Sequence, residues 1–595
     1  MSYTAPVRDM QFVLEELAGL AEIAKLPGLE EATPDLVAQI LEESAKFCGE
    51  VLAPLNWAGD REGAVLADGA VRTPQGFKEA YRQFAEAGWT ALEGPAAYGG
   101  QGLPKVVGAP VIEMWKASNI SFALCPMLTS GAIEALVLRG SEAQKRTFLP
   151  KMVAGEWTGT MNLTEPQAGS DLAQVKTRAV PEGDHYRLFG QKIFITYGEH
   201  DLAENIVHLV LARTPDAPPG VKGISLFIVP KFLVNPDGSL GARNDVKCIK
   251  LEEKLGIHAS PTCVMVFGDA GGAVGYLVGE ENRGLEYMFI MMNAARFGVG
   301  MEGVGLADRA YQRAAAYAKE RVQSRDVAGS AGPVTIVHHP DVRRMLMTMR
   351  AGSEATRALA YVVAAAMDRA HHHPDAAERK RNQAFVDLMI PVVKGWSTEL
   401  AIEIASLGVQ VHGGMGFVEE TGAAQHLRDA RITTIYEGTT GIQANDLVGR
   451  KIGREGGVTA KAVIAEMKAT AAALAAAAEP DLKAIGGRLA AGIGALERSV
   501  DWIVANFGAD PRGVHAGAVP FLELMGIVSG GWQMGRAALA AAGKLAKGEG
   551  DAAFLRAKIA TARFFADHYL THAPGLATTV TEGAPGVLAL AVEQF

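Results

Sequence analysis

The sequence predicts a multidomain α+β protein in which a helical part, a β part and two further helical parts follow one another. Apolar residues recur at helical spacing up to about residue 157, and strand-like runs between Pro, Gly and Asp turns follow from residue 158. Helical spacing resumes after residue 279 and continues to the end. The chain has 595 residues, which is too long for one ordinary core and agrees with several domains.

The first helical part is expected over residues 35–157, after an N-terminal extension of residues 1–34. Phe77, Tyr81 and Phe84 are among the apolar residues that recur near helical spacing in it. Loops are expected where Pro and Gly cluster in this part.

The β part is expected over residues 158–278, where the apolar period changes. Tyr186–Gly190, Ile206–Ala212 and Ile224–Pro230 are strand-like and are separated by turn residues. These runs predict a small β barrel or sandwich.

The second helical part, residues 279–452, predicts a four-helix bundle. Beyond a glycine-rich linker, residues 453–595 form a helical extension. Its alanine-rich tract is interpreted as helix, because Val463, Ile464 and Met467 continue an apolar stripe.

Composition excludes several classes of protein. The chain has 57 Lys and Arg residues and 66 Asp and Glu residues, which gives a net charge of −9. This negative charge does not favour binding of nucleic acid, which is a polyanion. The four cysteines are scattered, so neither disulfides nor zinc is indicated, and a reducing cytoplasm fits. Met1–Leu17 lacks the layout of a signal peptide, and the apolar stretches late in the chain are too short or too interrupted to predict a membrane span.

Two motifs carry the chemistry. Ile435–Gln443 places the carboxylate of Glu437 at a glycine-hinged entry to a helix, and Thr164–Asp171 is a polar loop of small residues whose N–H groups can approach phosphates. Taken singly, the first could be a helix-start charge and the second an ordinary turn. Their occurrence together, in this order, favours a site in which Glu437 is a base.

With Gln410–Phe417, these motifs resemble the I-Y-E-G-T, T-E-P-x-A-G-S-D and Q-x-x-G-G-x-G-F motifs of the FAD-dependent acyl-CoA dehydrogenases. The resemblance covers residues 35 to 450. It implies dehydrogenation of an acyl-CoA thioester to a trans-2-enoyl-CoA, with FAD as cofactor and electron-transfer flavoprotein as acceptor. The appendages and Gly441–Lys451 are similar to a branch that acts on 3-(methylthio)propanoyl-CoA. A straight-chain fatty acyl-CoA is the alternative substrate, and an oxidase that uses oxygen is the alternative enzyme.

The resemblance implies that Glu437 is the catalytic base and that its backbone N–H, with a ribityl hydroxyl of the flavin, holds the thioester oxygen. A helix start would stabilise the carboxylate by about 0.3–1 kcal/mol. Burial can raise a carboxyl pKa by up to about 3–5 units, at about 1.4 kcal/mol each. We therefore expect burial to dominate once the acyl chain excludes water.

Further contacts are carried over residue by residue. Phe194 stands where the family usually has Trp, while Met161 and Gln167 stand where Tyr and Gly are commoner. Arg321 is expected to reach FAD phosphates across a subunit interface, with a solvated helix-end cation as its alternative. The residues expected at the cofactor are Thr164, Ser170, Phe194, Thr196, Arg321, Gln410, Gly413, Gly414 and Thr439. Those expected at the substrate are Ser170, Asn293, Arg296 and Gly438. Arg296 could tune Glu437 or pair with another acid.

Two patterns are interpreted as structural. Gly298, Gly300 and Gly303 spell G-x-G-x-x-G without a preceding strand, so they predict close helix packing and no dinucleotide site. His371–His373 precedes Pro374 at an expected helix end and has no carboxylate or cysteine at ligand spacing, so no metal is expected.

Two other classes are weighed against the enzyme, and one state of assembly is expected. A nucleic-acid-binding flavoprotein of the same fold would need a basic extension, whereas acids balance the Lys and Arg residues here. A cofactor-free scaffold would be colourless when purified. The extension carries too many apolar residues to stay solvated, so it should pack on its own bundle and replace the second dimer of the family's tetramers. The expected state is a homodimer.

Overall fold

The computed structural model describes residues 3–595, which divide into two compact units. Within the described residues, the first unit comprises Lys46–Leu103 and Ser118–Gly298, and the second comprises Tyr3–Ala45, Pro104–Ala117 and Val299–Phe595. Two long helices, Lys105–Arg139 and Gly284–Glu320, each contribute residues to both units.

The first unit is built on a sheet that, among the described residues, has eight strands in the order β10-β11-β5-β12-β7-β6-β3, with β4 paired to β5. The pairing of β3 with β6 is parallel, and the other pairings in this sheet are antiparallel. Two small hairpins, β1-β2 and β8-β9, lie outside it. The strands are β1 Val65–Ala67, β2 Ala70–Arg72, β3 Trp157–Asn162, β4 Arg178–Glu182, β5 His185–Thr196, β6 Asn205–Ala212, β7 Ser225–Pro230, β8 Phe232–Val234, β9 Leu240–Arg243, β10 Val246–Leu251, β11 Thr262–Phe267 and β12 Ala273–Leu277. The predicted β part is confirmed, and its runs fall in β5, β6 and β7.

Strand β6 shows why the middle of the sequence reads as continuous apolar runs. Val207 and Leu209 face a core that includes Trp157 and the helix residue Met288. Val210 faces the opposite core, which includes residues of β10 and β11. Every residue of β6 is buried because both faces of the sheet are covered, so apolar and polar residues do not alternate along it.

The helices of the first unit lie before and after the sheet in the chain. Besides the two long helices that both units share, they are the π-helical turn Cys48–Leu52, then Ala53–Glu62, Phe77–Glu86 and Glu142–Val153. Phe77, Tyr81 and Phe84, the aromatic residues expected on one helix face, are all buried. The predicted first helical part is thus confirmed, although the hairpin β1-β2 within it was not predicted.

One helix among the described residues, Lys105–Arg139, is long and apolar enough by length and composition to cross a membrane. It is interrupted at Asn119, where φ is −159° and ψ is 89°. Of its most apolar stretch of 18 residues, 78% is buried inside the protein, as in the core helix of a globular domain. From the sequence, no membrane span was predicted on the basis of apolar stretches late in the chain. This helix, which lies early in the chain, was not considered in that prediction.

The second unit contains the long helices that were predicted after residue 279. Pro340–His372 and Ala376–His412 pack side by side, and Gly284–Glu320 contributes its second half. Short helices precede them, and the extension follows them. The other helices are Val7–Val13, Leu20–Ile23, Pro34–Phe47, Ala423–Ala430, Thr440–Asp446, Val458–Ala476, Pro480–Asn506, Pro511–Ala516, Ala518–Lys547, Ala552–His568, Ala573–Glu582 and Ala584–Val587.

Glycines of the G-x-G-x-x-G pattern allow these helices to approach closely. A Cβ on Gly300 would lie 2.6 Å from a methyl group of Val393, and one on Gly303 would lie 2.5 Å from the carbonyl oxygen of Ser397. Both distances are shorter than van der Waals contact, so only glycine fits. The predicted packing role is confirmed for these two positions.

The extension packs on its own bundle, as predicted. Trp396 of the bundle fills a groove at two glycines of Ala518–Lys547, because a Cβ on Gly526 would lie 2.2 Å from its Cγ and one on Gly530 would lie 2.4 Å from its Cη2. The hydroxyl of Tyr569 donates to the carbonyl oxygen of Thr348 at 3.0 Å. Phe507 and Phe564 of the extension are half-buried. Its other apolar residues that should not stay solvated are buried, namely Ile503, Phe521, Leu522, Leu524, Met525 and Phe565.

Candidate active site

The polar loop Thr164–Asp171 in the first unit is anchored by Glu165, a residue for which no role was predicted. Its carboxylate is 3% exposed and accepts five hydrogen bonds. The donors are Thr177 Oγ1 at 2.6 Å, Gln167 Nε2 at 2.6 Å, Lys176 N at 2.7 Å, Lys192 Nζ at 2.8 Å and Thr177 N at 3.0 Å. Burial by itself would raise the pKa of Glu165, but the charge and hydrogen bond of Lys192 and the other donors outweigh it and lower that pKa to about 2.

The hydrogen bond from Gln167 to Glu165 explains one departure from the family motif. Gln167, which stands where Gly is commoner, donates to Glu165 and also to the carbonyl oxygen of Gln174 at 3.1 Å. The side chain therefore braces the loop from within. Glu165 and Lys192 are 27 positions apart, so no local spacing in the sequence signals their contact.

The loop is also fixed to strand β5 beside Phe194. The N–H of Ile193 donates to the carbonyl oxygen of Thr164 at 2.9 Å. The register of β5 with β11 shifts here, and Phe194 has φ of 59°, a left-handed conformation that is uncommon for an aromatic residue. The bulge leaves the ring of Phe194 60% exposed, and Thr196 pairs with Thr262 just beyond it.

These residues fit the predicted flavin. The loop and the bulge bring Thr164, Phe194 and Thr196 to one end of β5, with Ser170 exposed on the same loop. An outward aromatic ring supplies a packing surface for a planar heterocycle, and the hydroxyls and loop N–H groups can donate to its polar edge and phosphates. A large apolar ring held in solvent by a strained backbone is a feature that a ligand would explain.

Two residues expected at the substrate lie one turn apart on Gly284–Glu320 and in the first unit. Asn293 is exposed, while Arg296 is only 6% exposed. Nη1 of Arg296 donates to Oδ1 of Asn293 at 3.5 Å. This contact orients the guanidinium and leaves both predicted roles of Arg296 open.

Glu437 lies in the second unit, on a loop with an unusual backbone. It is half-buried with φ of 54°, and Gly438 follows with φ of 87°. A left-handed conformation costs a non-glycine residue about 1–2 kcal/mol, so surrounding contacts must hold it. The next helix begins at Thr440, with the hydroxyl of Thr439 capping it by accepting from the N–H of Ile442 at 3.2 Å. Glu437 therefore precedes the helix instead of starting it, which weakens the predicted effect of the helix dipole.

Buried polar groups hold this loop on both sides. On one side the hydroxyl of Tyr436 donates to Glu302, whose carboxylate also accepts from Lys116 at 2.8 Å with both side chains fully buried. Burial, together with the charge of Glu302, raises the pKa of Tyr436 well above its usual value, which keeps the hydroxyl protonated as a donor.

On the other side, Nε2 of Gln443 lies 3.2 Å from the carbonyl oxygens of both Glu437 and Gly438. Nζ of Lys394 donates to the carbonyl oxygen of Gly438 at 2.8 Å. A Cβ on Gly438 would lie 2.8 Å from Nε2 of Gln443, so the glycine serves both the turn and this contact. None of the residues that hold the loop, Lys116, Glu302, Lys394 and Gln443, was singled out from sequence.

The remaining expected cofactor residues lie together at one end of the bundle. Arg321 follows the last residue of Gly284–Glu320 and is exposed. One turn earlier, the ring of Tyr317 stacks on His412 at 4.3 Å between centroids. That stacking brings Arg321 to the end of Ala376–His412, where Gln410, Gly413 and Gly414 form an exposed turn. A Cβ on either glycine would meet no atom within 4 Å, so the turn is open to a ligand.

Comparison with known proteins agrees with this arrangement. Consecutive parts of the chain match the acyl-CoA dehydrogenase N-terminal domain over residues 37–156, the middle domain over 160–270 and the C-terminal domain over 282–452. Residues 463–591 match a domain described as acetyl-CoA dehydrogenase C-terminal like.

Full-length relatives are similar throughout. The chain is 53% identical to 3-methylmercaptopropionyl-CoA dehydrogenase of Ruegeria pomeroyi, with 99% of each chain covered. It is 37% identical to a butyryl-CoA dehydrogenase of Syntrophomonas wolfei, covering 95% of this chain and 94% of that one. A Bacillus anthracis acyl-CoA dehydrogenase complexed with FAD shares the fold, with a TM-score of 0.74 at 22% identity over 96% of this chain and 91% of that one.

The chain therefore belongs to the acyl-CoA dehydrogenase family and is an FAD-dependent oxidoreductase that dehydrogenates an acyl-CoA thioester.

Proposed function

We propose that this enzyme dehydrogenates 3-(methylthio)propanoyl-CoA with Glu437 as the base, in the degradation of dimethylsulfoniopropionate. The observation that carries the assignment of the base is the loop at Glu437, where the glutamate has a left-handed backbone and buried donors bind the carbonyl oxygens of Glu437 and Gly438. Such strain is kept where a fixed side-chain position matters. The similarity to the Ruegeria pomeroyi enzyme over the whole chain supports the substrate.

Glu437 removes a proton from the α-carbon of the acyl group in this proposal. The developing enolate oxygen is held by the backbone N–H of Glu437, a donor that the fixed loop keeps in place. Bound FAD supplies the acceptor for the hydride from the β-carbon. The protein aligns base and acyl chain, and Asn293, Arg296, Ser170 and Gly438 are the residues that we assign to the acyl-CoA.

We assign nine residues to the cofactor. In the first unit, Thr164, Ser170, Phe194 and Thr196 surround the bulge of β5 and suit the ring and its phosphates. In the second unit, Thr439 lies two residues beyond the base. Arg321 follows the helix Gly284–Glu320, and Gln410, Gly413 and Gly414 form the open turn at the end of Ala376–His412.

The position of that turn supports a site shared between two subunits. Gln410 lies sixteen residues beyond Lys394 on the same helix, which is about 24 Å at 1.5 Å per residue. The middle of the helix therefore contacts the loop of Glu437, and its C-terminal end is far enough away to contact a second cofactor. We propose a homodimer in which Arg321 reaches the FAD of the partner subunit, with electron-transfer flavoprotein as the acceptor and a cytoplasmic location.

Glu437→Gln tests the base. The variant keeps the shape of the side chain and should stay yellow, but acyl-CoA should no longer bleach its flavin. Glu420→Gln, at an exposed glutamate, is the matched control and should bleach like the wild type. Wild-type bleaching by Glu437→Gln would falsify the assignment.

A turnover panel tests the substrate. With 3-(methylthio)propanoyl-CoA, butanoyl-CoA and octanoyl-CoA, the highest kcat/KM is expected for the thioether substrate. A preference for a straight-chain acyl-CoA would overturn this choice. Stopped-flow reoxidation in air separates a dehydrogenase from an oxidase, because an oxidase reoxidises on the timescale of turnover.

A further inference from the structure

Lys394 is a fully buried lysine in the middle of the helix Ala376–His412. An ammonium group is costly to bury, whereas an apolar side chain of similar length would fill the same space without that cost. Its Nζ donates to the carbonyl oxygen of Gly438 at 2.8 Å. This hydrogen bond ties the buried lysine to the residue that follows Glu437.

The carbonyl that Lys394 binds belongs to a strained segment. Glu437 and Gly438 both have positive φ, at 54° and 87°, and Gln443 donates to both of their carbonyl oxygens. Without these donors the peptide could rotate towards a commoner conformation and turn the side chain of Glu437 elsewhere. A charge-assisted bond to the Gly438 carbonyl is the strongest kind of restraint available to a backbone acceptor.

We propose that Lys394 is a positioning residue for the base: it fixes the Gly438 carbonyl, keeps Glu437 in its left-handed conformation and so aims the carboxylate. The inference depends on the proposed role of Glu437. It assigns Lys394 no contact with substrate or cofactor.

Proton abstraction can be measured separately from hydride transfer. An acyl-CoA analogue with sulfur in place of C3 has no β-hydrogen to lose, but it keeps an acidic α-hydrogen. Incubated with the holoenzyme in D2O, it exchanges that hydrogen at a rate set by the base, and mass spectrometry follows the exchange. Lys394→Met should slow this exchange about 100-fold, because small misplacement of a reacting group costs that much.

Three further measurements separate positioning from general damage. FAD content and affinity for the analogue should stay within twofold of the wild type in Lys394→Met, whereas amide hydrogen exchange of residues 436–443 should rise at least tenfold. The control is Lys558→Met, which removes another fully buried lysine of the same unit that bonds Asp9 and Glu354. It should leave both the α-hydrogen exchange and the loop amides within threefold of the wild type.

Glu437→Gln distinguishes failure of this inference from failure of the proposed function. If Glu437→Gln abolishes α-hydrogen exchange while Lys394→Met exchanges at the wild-type rate, Lys394 does not position the base. If Glu437→Gln still exchanges, the proposed base is wrong and the inference falls with it. Equal slowing by Lys394→Met and Lys558→Met would also overturn it, because that result reports loss of stability alone.

A second variant keeps the proposal testable if Lys394→Met does not fold. Lys394→Gln retains polarity but is too short to reach the Gly438 carbonyl, and the same slowing and the same rise in amide exchange are expected. Wild-type values for both would overturn the inference.

Discussion

The ammonium nitrogen of Lys558 lies 2.6 Å from a carboxylate oxygen of Asp9, although the two residues are 549 positions apart. Lys558 is 1% exposed and also donates to Glu354 at 2.7 Å. Asp9 in turn accepts from Arg357 at 2.8 Å. A helix near the start of the chain, a bundle helix and a helix of the extension thus share one buried ionic network.

Within this network the carboxylate of Asp9 is held ionised. Burial alone would raise the pKa of Asp9, but Lys558 and Arg357 outweigh it and lower that pKa to about 2. The N-terminal extension, to which no packing role was assigned from sequence, is therefore an integral part of the second unit.

Lys558→Met should destabilise the protein by about 3–5 kcal/mol, because it leaves two buried carboxylates without a cation that both contact. Lys544→Met is the matched control: Lys544 also joins the extension to the N-terminal segment, through Glu16 at 2.8 Å, but this pair is partly solvated. Its loss should cost about 1 kcal/mol or less. Urea unfolding of both variants checks the difference, and equal costs would contradict it.

Gly526→Ala should destabilise the packing of the extension on the bundle by about 1–3 kcal/mol, because its Cβ would overlap the indole of Trp396. Gly543→Ala, on the same helix, places its Cβ where no atom lies within 4 Å. That change should stabilise the helix by about 0.5–1 kcal/mol. Opposite shifts in Tm are expected, and two shifts of the same sign would argue against the groove.

Glu165→Gln should change how the free energy of unfolding depends on pH. The folded pKa of Glu165 is lowered from 4.5 to about 2, so its contribution is fully present above pH 4.5 and is lost as pH falls towards 2. That contribution is about 3 kcal/mol at 1.36 kcal/mol per unit. The variant should be less stable than the wild type at pH 7. The difference in free energy of unfolding between the two proteins should be smaller at pH 3.5. Urea unfolding at the two pH values measures the difference in stability, with Glu204→Gln, at an exposed glutamate of the same unit, as control. A gap that stays constant would contradict the assignment.

The candidate site was proposed from short motifs in the sequence. Glu437, the loop Thr164–Asp171 and the turn at Gln410 were singled out because their motifs resemble those of the acyl-CoA dehydrogenases. The strand runs and the long helices were found because apolar period reports secondary structure directly.

The groups that hold the site were not predictable in the same way. Lys192 and Glu165, or Lys394 and Gly438, are distant in sequence and meet only through the fold. A lysine in an apolar helix reads as a surface residue unless its partner is known. From sequence alone, Gly526 is only a residue of low helix propensity within a helix. The structure explains the glycine, because the indole of Trp396 occupies the space that a Cβ of alanine would need.

Removal of residues 455–595 tests the proposed assembly. The truncation takes away Lys558 from Asp9 and Glu354 and uncovers Trp396, which the extension buries to 3% exposure. An apolar face of this kind should associate, so the truncated protein should aggregate or form tetramers while the full-length protein is a dimer. A chain that ends at Gly586 is the matched control, because Val587, Leu588, Val592 and Phe595 are exposed, and it should remain a dimer. Light scattering after size-exclusion chromatography decides the matter: a full-length tetramer, or a well-behaved dimer after the long truncation, would refute the proposed arrangement.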